Sequence, residues 1–129
     1  MISEEMLRQM DELDAIWWTW DGHSERKKNT VYLYDRNWVL LEKISLRGAK
    51  RIPEKCWWNG SEFISYATQV RWLHDTLYRL RDGRWLLCRW SQWEDDPPVY
   101  RLVPEDFAKL WLERNHRDEE LKKYFGGES

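Results

Sequence analysis

The stretch from Thr76 to Trp93 constrains the fold more than any other, because it has the pattern of a β-hairpin. Two runs rich in aromatic and aliphatic residues flank the dipeptide Asp82-Gly83. Asp-Gly between such runs favours a tight turn, because glycine has no Cβ and therefore accepts a positive φ. The sequence predicts that further strands extend this hairpin and that helices cover it.

The register of this hairpin decides which side chains share a face of the sheet. A two-residue loop pairs Arg81 with Arg84, whereas a three-residue loop with Gly83 left-handed pairs Leu80 with Arg84. In the second register one face carries Trp72, Tyr78, Leu80, Leu86, Cys88 and Trp90. The other face then carries Leu77, Arg79, Trp85, Leu87, Arg89 and Trp93. Neither face is purely polar, so both strands are predicted to be central and covered at least partly on both sides.

Further strands are predicted before and after this hairpin. Residues 31–34 and 38–46 are rich in β-forming side chains, and Asp35-Arg36-Asn37 between them suits a three-residue loop with Asn37 left-handed. Residues 61–70 fit both helical and alternating spacing, and we favour extended structure because Ile, Thr, Tyr and Val dominate. Residues 99–103 follow two prolines and complete a three-stranded antiparallel meander.

Helices are predicted at both ends of the chain. Ser3 suits the N-cap of an amphipathic helix over about residues 4–16. Pro104 suits the first position of a second helix, and Asp118 suits the cap of a third that ends at Gly126-Gly127. The predicted fold class is α+β, with an antiparallel sheet of five or six strands, a β-meander core, and N- and C-terminal helices packed on the sheet. The length predicts a single domain over residues 1–129.

The composition limits the classes of partner. The chain has 21 basic and 23 acidic side chains, and its net charge of −2 excludes a strongly basic, non-specific DNA-binding protein. It also has 11 tryptophans, more than a small domain easily buries, so some are predicted to lie at the surface. Cys56 and Cys88 form no disulfide framework, and the sequence has neither a signal-peptide pattern nor a membrane-spanning apolar run. We therefore expect a cytoplasmic protein with free cysteines and no membrane partner.

No set of residues in the sequence predicts an enzyme. The histidines lie far apart and have no metal-ligand spacing: His23, His74 and His116. Cys56, which has Lys55 beside it, is the only candidate for a reactive thiolate. The acidic residues 94–96 could help to hold Mg²⁺, but a solvated acidic loop is the stronger interpretation. We expect no catalytic residue, no metal site and no cofactor, and we place a metal-dependent enzyme third among the hypotheses.

Arginine and aromatic residues are interleaved along the predicted meander, and some of them are the candidate binding residues. These candidates are Arg79, Arg81, Arg84, Trp85, Arg89 and Trp93. Protein interfaces are enriched in Trp, Tyr and Arg, so a protein partner fits both these side chains and the nearly neutral charge. Nucleic acid is the alternative partner, because single strands stack on aromatic rings between cationic side chains. An unpaired edge strand would also permit a homodimer.

The last half of the chain resembles a group of uncharacterised small bacterial proteins. The resemblance rests on Leu77-Tyr78-Arg79, Gly83-Arg84-Trp85, Trp90-Ser91-Gln92-Trp93, Ala108 and Trp111-Leu112. Two departures are visible: Leu80 replaces a usual threonine, and Glu94-Asp95 replaces a usual Gln-Gly. Such proteins are often encoded on phages, plasmids or other mobile elements, so the resemblance implies an architecture and a genomic setting but no activity. We therefore expect a tryptophan-rich accessory or inhibitory factor that acts through a protein complex.

Overall fold

The computed structural model describes Arg8, residues 22–92 and residues 97–126. Within that part of the chain there are nine strands and two helices. The strands are β1 His23–Lys27, β2 Thr30–Tyr34, β3 Leu40–Ser45, β4 Lys50–Pro53, β5 Cys56–Trp58, β6 Phe63–Ser65, β7 Leu73–Arg79, β8 Trp85–Ser91 and β9 Val99–Val103. The helices are α1 Glu105–Arg114 and α2 Asp118–Phe125. The predicted helix over residues 4–16 lies outside the described residues apart from Arg8, and the two C-terminal helices are confirmed.

The hairpin formed by β7 and β8 has the three-residue loop. Arg79 pairs with Trp85 at the end of the ladder. Beyond this pair, the Leu80 amide donates to the Arg84 carbonyl at 2.8 Å and the Gly83 amide donates to the Leu80 carbonyl at 3.0 Å. Gly83 has a φ of +95°, a conformation that residues with a Cβ rarely adopt. The register that pairs Leu80 with Arg84 is therefore confirmed, as is the meander of β7, β8 and β9.

The predicted single sheet of five or six strands is wrong, because the strands divide into three antiparallel sheets. Their orders are β1-β2-β3, β4-β7-β8-β9 and β5-β6. The reason lies in β7 and β8, which carry apolar side chains on both faces and so require a cover on each side. The sheet of β1, β2 and β3 covers one face of β7 and β8. If these three strands had instead extended the edge of the same sheet, the apolar side chains on that face would have stayed in contact with water.

The core consequently lies on both faces of the four-stranded sheet. On one face, side chains of β7 and β8 pack against α1 in a cluster that includes Leu77, Trp85, Leu87, Phe107, Trp111 and Leu112. On the opposite face they pack against β2 and β3 in a cluster that includes Tyr78, Leu86, Cys88, Val31, Leu33 and Ile44. Full burial of each large apolar side chain contributes about 1.5–3 kcal/mol. The order of layers is three-stranded sheet, four-stranded sheet, helices, and the prediction that β7 and β8 are covered on both sides is confirmed.

The loop between β2 and β3 is displaced by one residue from its predicted position. The Asp35 amide donates to the Val39 carbonyl at 3.0 Å, so the loop consists of Arg36, Asn37 and Trp38. The left-handed residue is Trp38, with a φ of +62°, and not Asn37. The Asp35 carboxylate sets this position, because its Oδ1 accepts hydrogen bonds from the amides of Asn37 and Val39.

Three further predictions about local structure need correction. In residues 61–70 only β6 is extended, because the Ser65 hydroxyl accepts hydrogen bonds from the Ala67 and Thr68 amides and so favours turns after the strand. Pro104 is the N-cap of α1, one position before the predicted N1, since its ψ of 165° is extended. The N-cap of α2 is Arg117 and not Asp118, which is already the first residue of the helix. The helix ends at Gly126, whose φ is +81°, as predicted.

Candidate interaction site

Four consecutive large apolar side chains at the start of β3 are exposed to solvent. Trp38 is 59 % exposed, Val39 57 %, Leu40 44 % and Leu41 59 %. We call residues 38–41 the apolar run. Single exposed apolar residues are common on protein surfaces, whereas a contiguous group is typical of an interaction site.

The apolar run is exposed because β2 and β3 pair irregularly at this end. Leu33 pairs with Glu42 and Tyr34 pairs with Leu40, so Leu41 is an extra residue, a β-bulge. In a regular strand every second side chain points into the core. A bulge interrupts this alternation, so apolar side chains beside it can point to solvent. Beside the bulge, the loop holds Trp38 in a conformation that costs a bulky residue about 1–3 kcal/mol. Strain of this kind is concentrated at functional sites in proteins.

Aromatic and cationic side chains form the solvent-facing surface of the three-stranded sheet. The Tyr34 and Trp38 rings lie 5.4 Å apart, and Lys27 and Lys43 place their ammonium groups 5.7 and 5.9 Å from the Tyr32 ring. We call these five residues the aromatic face. Desolvation raises the pKa of the Tyr34 hydroxyl, and the nearby Glu25 carboxylate raises it further.

A groove of about 620 Å³ runs between β3 and the turn that joins β7 to β8. Its charged lining residues are four cations and one carboxylate, Lys43, Arg47, Arg81, Arg84 and Asp82. We call it the basic groove. Gly48, with a φ of +73°, allows the Arg81 side chain to lie close to the backbone, since a Cβ there would come within 3.2 Å of Arg81 Cδ.

Among the described residues, Arg84 is the one groove cation that has carboxylate partners. Its guanidinium contacts Glu42 of β3, and its Nε donates to Asp82 Oδ2 at 2.9 Å. The Arg84 amide also donates to Asp82 Oδ1, and this bond is the main reason why the pKa of Asp82 is lowered. Arg84 therefore joins the two sheets at this end of the groove, and its charge is largely compensated.

Of the five candidate binding residues that the structure describes, only Arg81 and Arg84 come together at the surface. Trp85 is 1 % exposed and its ring contacts Tyr124 and Phe125 of α2, so it is not open to a partner. Arg79 lies over Trp85, with its guanidinium carbon 4.8 Å from the ring centroid. Trp93 is outside the described residues.

Arg89, the remaining candidate, is buried in an ion pair with Asp75. Arg89 Nε donates to Asp75 Oδ1 at 2.8 Å, and Arg89 Nη2 donates to Asp75 Oδ2 at 3.0 Å. Trp111 of α1 donates from Nε1 to the same carboxylate at 3.2 Å. The arrangement links β7, β8 and α1, so Arg89 has a structural role and does not reach the surface.

The apolar run, Lys43 and Arg47 are not among the candidate residues predicted from the sequence. Residues 38–46 have the composition of a core strand. From that composition, the exposure of the first half of the segment could not be predicted. The surplus of tryptophan was the only usable signal, because it predicted exposed indoles without saying which. In the described residues Trp38, Trp58, Trp72 and Trp90 are exposed, which confirms that prediction.

Side chains of types that can take part in catalysis meet around Glu54, in a cluster that is partly buried. Its carboxylate accepts hydrogen bonds from the Ser65 hydroxyl at 2.7 Å, from the Asp75 amide and from the Cys56 thiol at 3.5 Å. His74 Nδ1 lies 2.7 Å from the same carboxylate. Desolvation and the Glu54 charge raise the pKa of the Cys56 thiol to about 11, so it stays protonated at neutral pH.

Cys56 therefore lacks the property expected of a nucleophile, and its closest polar partner is a carboxylate. Within the described part of the chain, no three histidine, cysteine or carboxylate side chains are arranged to hold a metal ion. Residues 94–96, the acidic stretch considered for Mg²⁺, lie outside that part.

Comparison of the chain with protein-family models, with curated proteins and with solved structures gives no match. The resemblance of the last half to small bacterial proteins therefore stays a prediction. Neither of the two described helices has the length and apolar character needed to cross a membrane.

Proposed function

We propose that this chain is a non-enzymatic binding protein that acts in a complex with another protein, and that the apolar run is its contact surface. The observation that carries this proposal is the exposure of four consecutive large apolar side chains beside a β-bulge. Removing apolar surface from water stabilises a complex by roughly 25 cal/mol per Å². A tryptophan in such a position is the side chain most often found at a binding hot spot.

The setting that we propose is a phage or other mobile element, with the chain as an accessory or inhibitory factor in the cytoplasm. The resemblance of residues 77–112 supports the genomic setting. Both cysteines are free, with Cys56 exposed and Cys88 buried, which is consistent with a reducing compartment.

Nucleic acid is the second candidate partner, and the aromatic face favours it. Exposed rings beside lysines are the side chains on which single strands stack, at about 1–3 kcal/mol per base. One of these lysines, Lys43, also lines the basic groove. We rank this candidate second because the net charge of −2 supplies no long-range attraction for phosphate.

Capture of the tagged protein from its native host, with and without nuclease, separates the two candidates. The test variant is Val39→Ser with Leu41→Ser, and the matched control is Phe63→Ser, which changes a 63 % exposed side chain on β6. We expect one protein to co-purify in stoichiometric amount with the wild type and with the control, independently of nuclease, and to be lost from the double variant. Release of the partner by nuclease, or full retention by the double variant, would contradict the proposal.

A further inference from the structure

We propose that the outer edge of β3 binds an extended, acidic segment of the partner protein as an added strand, with its carboxylates held in the basic groove. This inference rests on the proposed function and specifies the chemistry of the partner. It differs from contact with the apolar run alone, because it assigns a role to backbone groups of β3 and to cations that have no carboxylate partner among the described residues.

The first observation is the direction of the β3 backbone. Among the described strands β3 pairs only with β2, and it is the outer member of its sheet. The Leu46 amide donates to the Asn29 carbonyl at 2.7 Å, in register with the ladder that pairs Val31 with Ile44. Backbone groups of successive residues alternate in direction along an antiparallel strand. The amides and carbonyls of Lys43 and Ser45 therefore point away from β2.

The second observation is the position of the basic groove along that edge. Three consecutive residues of β3 line it, Lys43, Ile44 and Ser45. The side chains of successive strand residues point to opposite faces of the sheet. A groove that lay on one face would be lined by every second residue, so a groove lined by three consecutive residues borders the edge of the strand. An extended segment lying in the groove is thus placed to pair with the outward amides and carbonyls. Peptides are bound in this way when an unpaired strand edge lies beside pockets for alternate side chains.

The third observation is the charge of the groove. Lys43, Arg47 and Arg81 have no carboxylate partner among the described residues, whereas Arg84 is compensated by Glu42 and Asp82. Three uncompensated cations favour carboxylates in the segment that binds. They also oppose pairing with a second copy of this chain, because two basic grooves would then face each other; lysine on an edge strand commonly prevents such self-association.

The fourth observation is that the apolar run continues the same edge. Val39 and Leu41 are exposed immediately before the residues that line the groove. A segment paired along β3 would bring its own apolar side chains against them at one end and its carboxylates into the groove at the other. We therefore expect the bound segment to alternate apolar and acidic residues.

The test uses a fluorescein-labelled octapeptide of alternating valine and glutamate, and a second peptide with lysine in place of glutamate. Fluorescence anisotropy measures their binding to the full chain. Lys43→Pro removes the outward amide and is tolerated at such a position on an edge strand, while Lys43→Gln removes only the charge. Arg81→Glu reverses a groove charge, and Lys109→Glu on α1, on the other side of the molecule, is its matched control.

We expect the glutamate peptide to bind and the lysine peptide not to bind. Lys43→Pro and Arg81→Glu should each weaken binding by about tenfold or more, Lys43→Gln by less, and Lys109→Glu should leave it unchanged. Hydrogen exchange gives a test without substitutions, because the bound peptide should slow exchange of the Lys43 and Ser45 amides.

Absence of binding by the glutamate peptide, or no slowing at the Lys43 and Ser45 amides, would overturn the inference. So would equal binding by Lys43→Pro, or a preference of the groove for oligothymidylate over the peptide. If the wild type formed a dimer and Lys43→Pro abolished it, the edge of β3 would bind a second copy of this chain instead. If the partner captured from the host is lost from the Val39→Ser and Leu41→Ser variant but kept by Lys43→Pro, the proposed function stands and strand addition fails.

Discussion

The indole ring of Trp38 lies flat against the imidazole ring of His23, with the ring centroids 4.0 Å apart and the planes 5° apart. His23 Nε2 donates to the Arg36 carbonyl at 3.2 Å, so the imidazole is held to the loop that carries Trp38. The contact fixes the orientation of the indole, which is still 59 % exposed to solvent. It explains how a bulky residue with a positive φ is retained at this position, and it presents the ring as a preorganised contact for a partner.

Replacing His23 by alanine should destabilise this loop. Aromatic stacking contributes about 0.5–1.5 kcal/mol beyond area burial, so a loss of that size in the free energy of unfolding is expected. Urea unfolding measures it, and His23→Phe, which keeps a flat ring, is the control. Equal stability of the alanine variant and the wild type would show that the stacking has no energetic role.

Replacing Gly83 by valine should destabilise the hairpin of β7 and β8. The φ of +95° is incompatible with a β-branched side chain, and we expect a loss of about 1 kcal/mol or more in urea unfolding. Gly83→Asn should cost less, because asparagine tolerates the left-handed region better. A valine variant as stable as the parent would contradict the role assigned to this turn.

Replacing Asp75 by asparagine should have a larger effect than any surface charge substitution. The change removes the Asp75 charge from the buried ion pair with Arg89, and breaking a buried ion pair typically costs about 3–5 kcal/mol. Glu62→Gln, which breaks the exposed ion pair with Arg71, is the control and should have a much smaller effect. Thermal unfolding that is equally shifted in both variants would be inconsistent with a structural role for the buried pair.

Alkylation of Cys56 by iodoacetamide should depend on pH in a way that reports its raised pKa. The thiolate is the reacting form, and a pKa of about 11 in place of the ordinary 9.0 means that the rate stays low near neutral pH and rises toward pH 11. The chain unfolded in urea should instead show a midpoint near the ordinary value. Mass spectrometry distinguishes Cys56 from the buried Cys88. If the pH midpoint of alkylation were lower in the native chain than in the unfolded chain, the pKa of Cys56 would be lowered and not raised. Cys56 would then again be a candidate nucleophile.

Local signals made the hairpin and the C-terminal end of α2 predictable. Gly83 fixed the loop because few residues accept its conformation, and Gly126 fixed the end of α2 for the same reason. The division into three sheets depends on distant pairing, such as that of β4 with β7, for which the sequence carries no local pattern. A hydrophobic strand pattern shows that the apolar side chains of the strand must be buried. It does not show which other part of the chain covers them.

The candidate site was less predictable than the fold. Trp85 has the composition and neighbours of a binding residue, but two aromatic rings of α2 cover it, and their contact depends on the path of the last helix. Trp38 to Leu41 have the composition of a buried strand, but the loop shift and the bulge expose them. In both cases tertiary packing decided the exposure, and residue type alone did not.

Oxidative footprinting of tryptophan in the free chain and in the complex captured from the host tests the central claim most directly. Trp38 and Trp58 are 59 % and 57 % exposed, so the second is an internal control for the first. We predict that complex formation protects Trp38 from oxidation and leaves Trp58 as reactive as in the free chain. Equal oxidation of Trp38 with and without the partner would contradict the assignment of the apolar run as the contact surface.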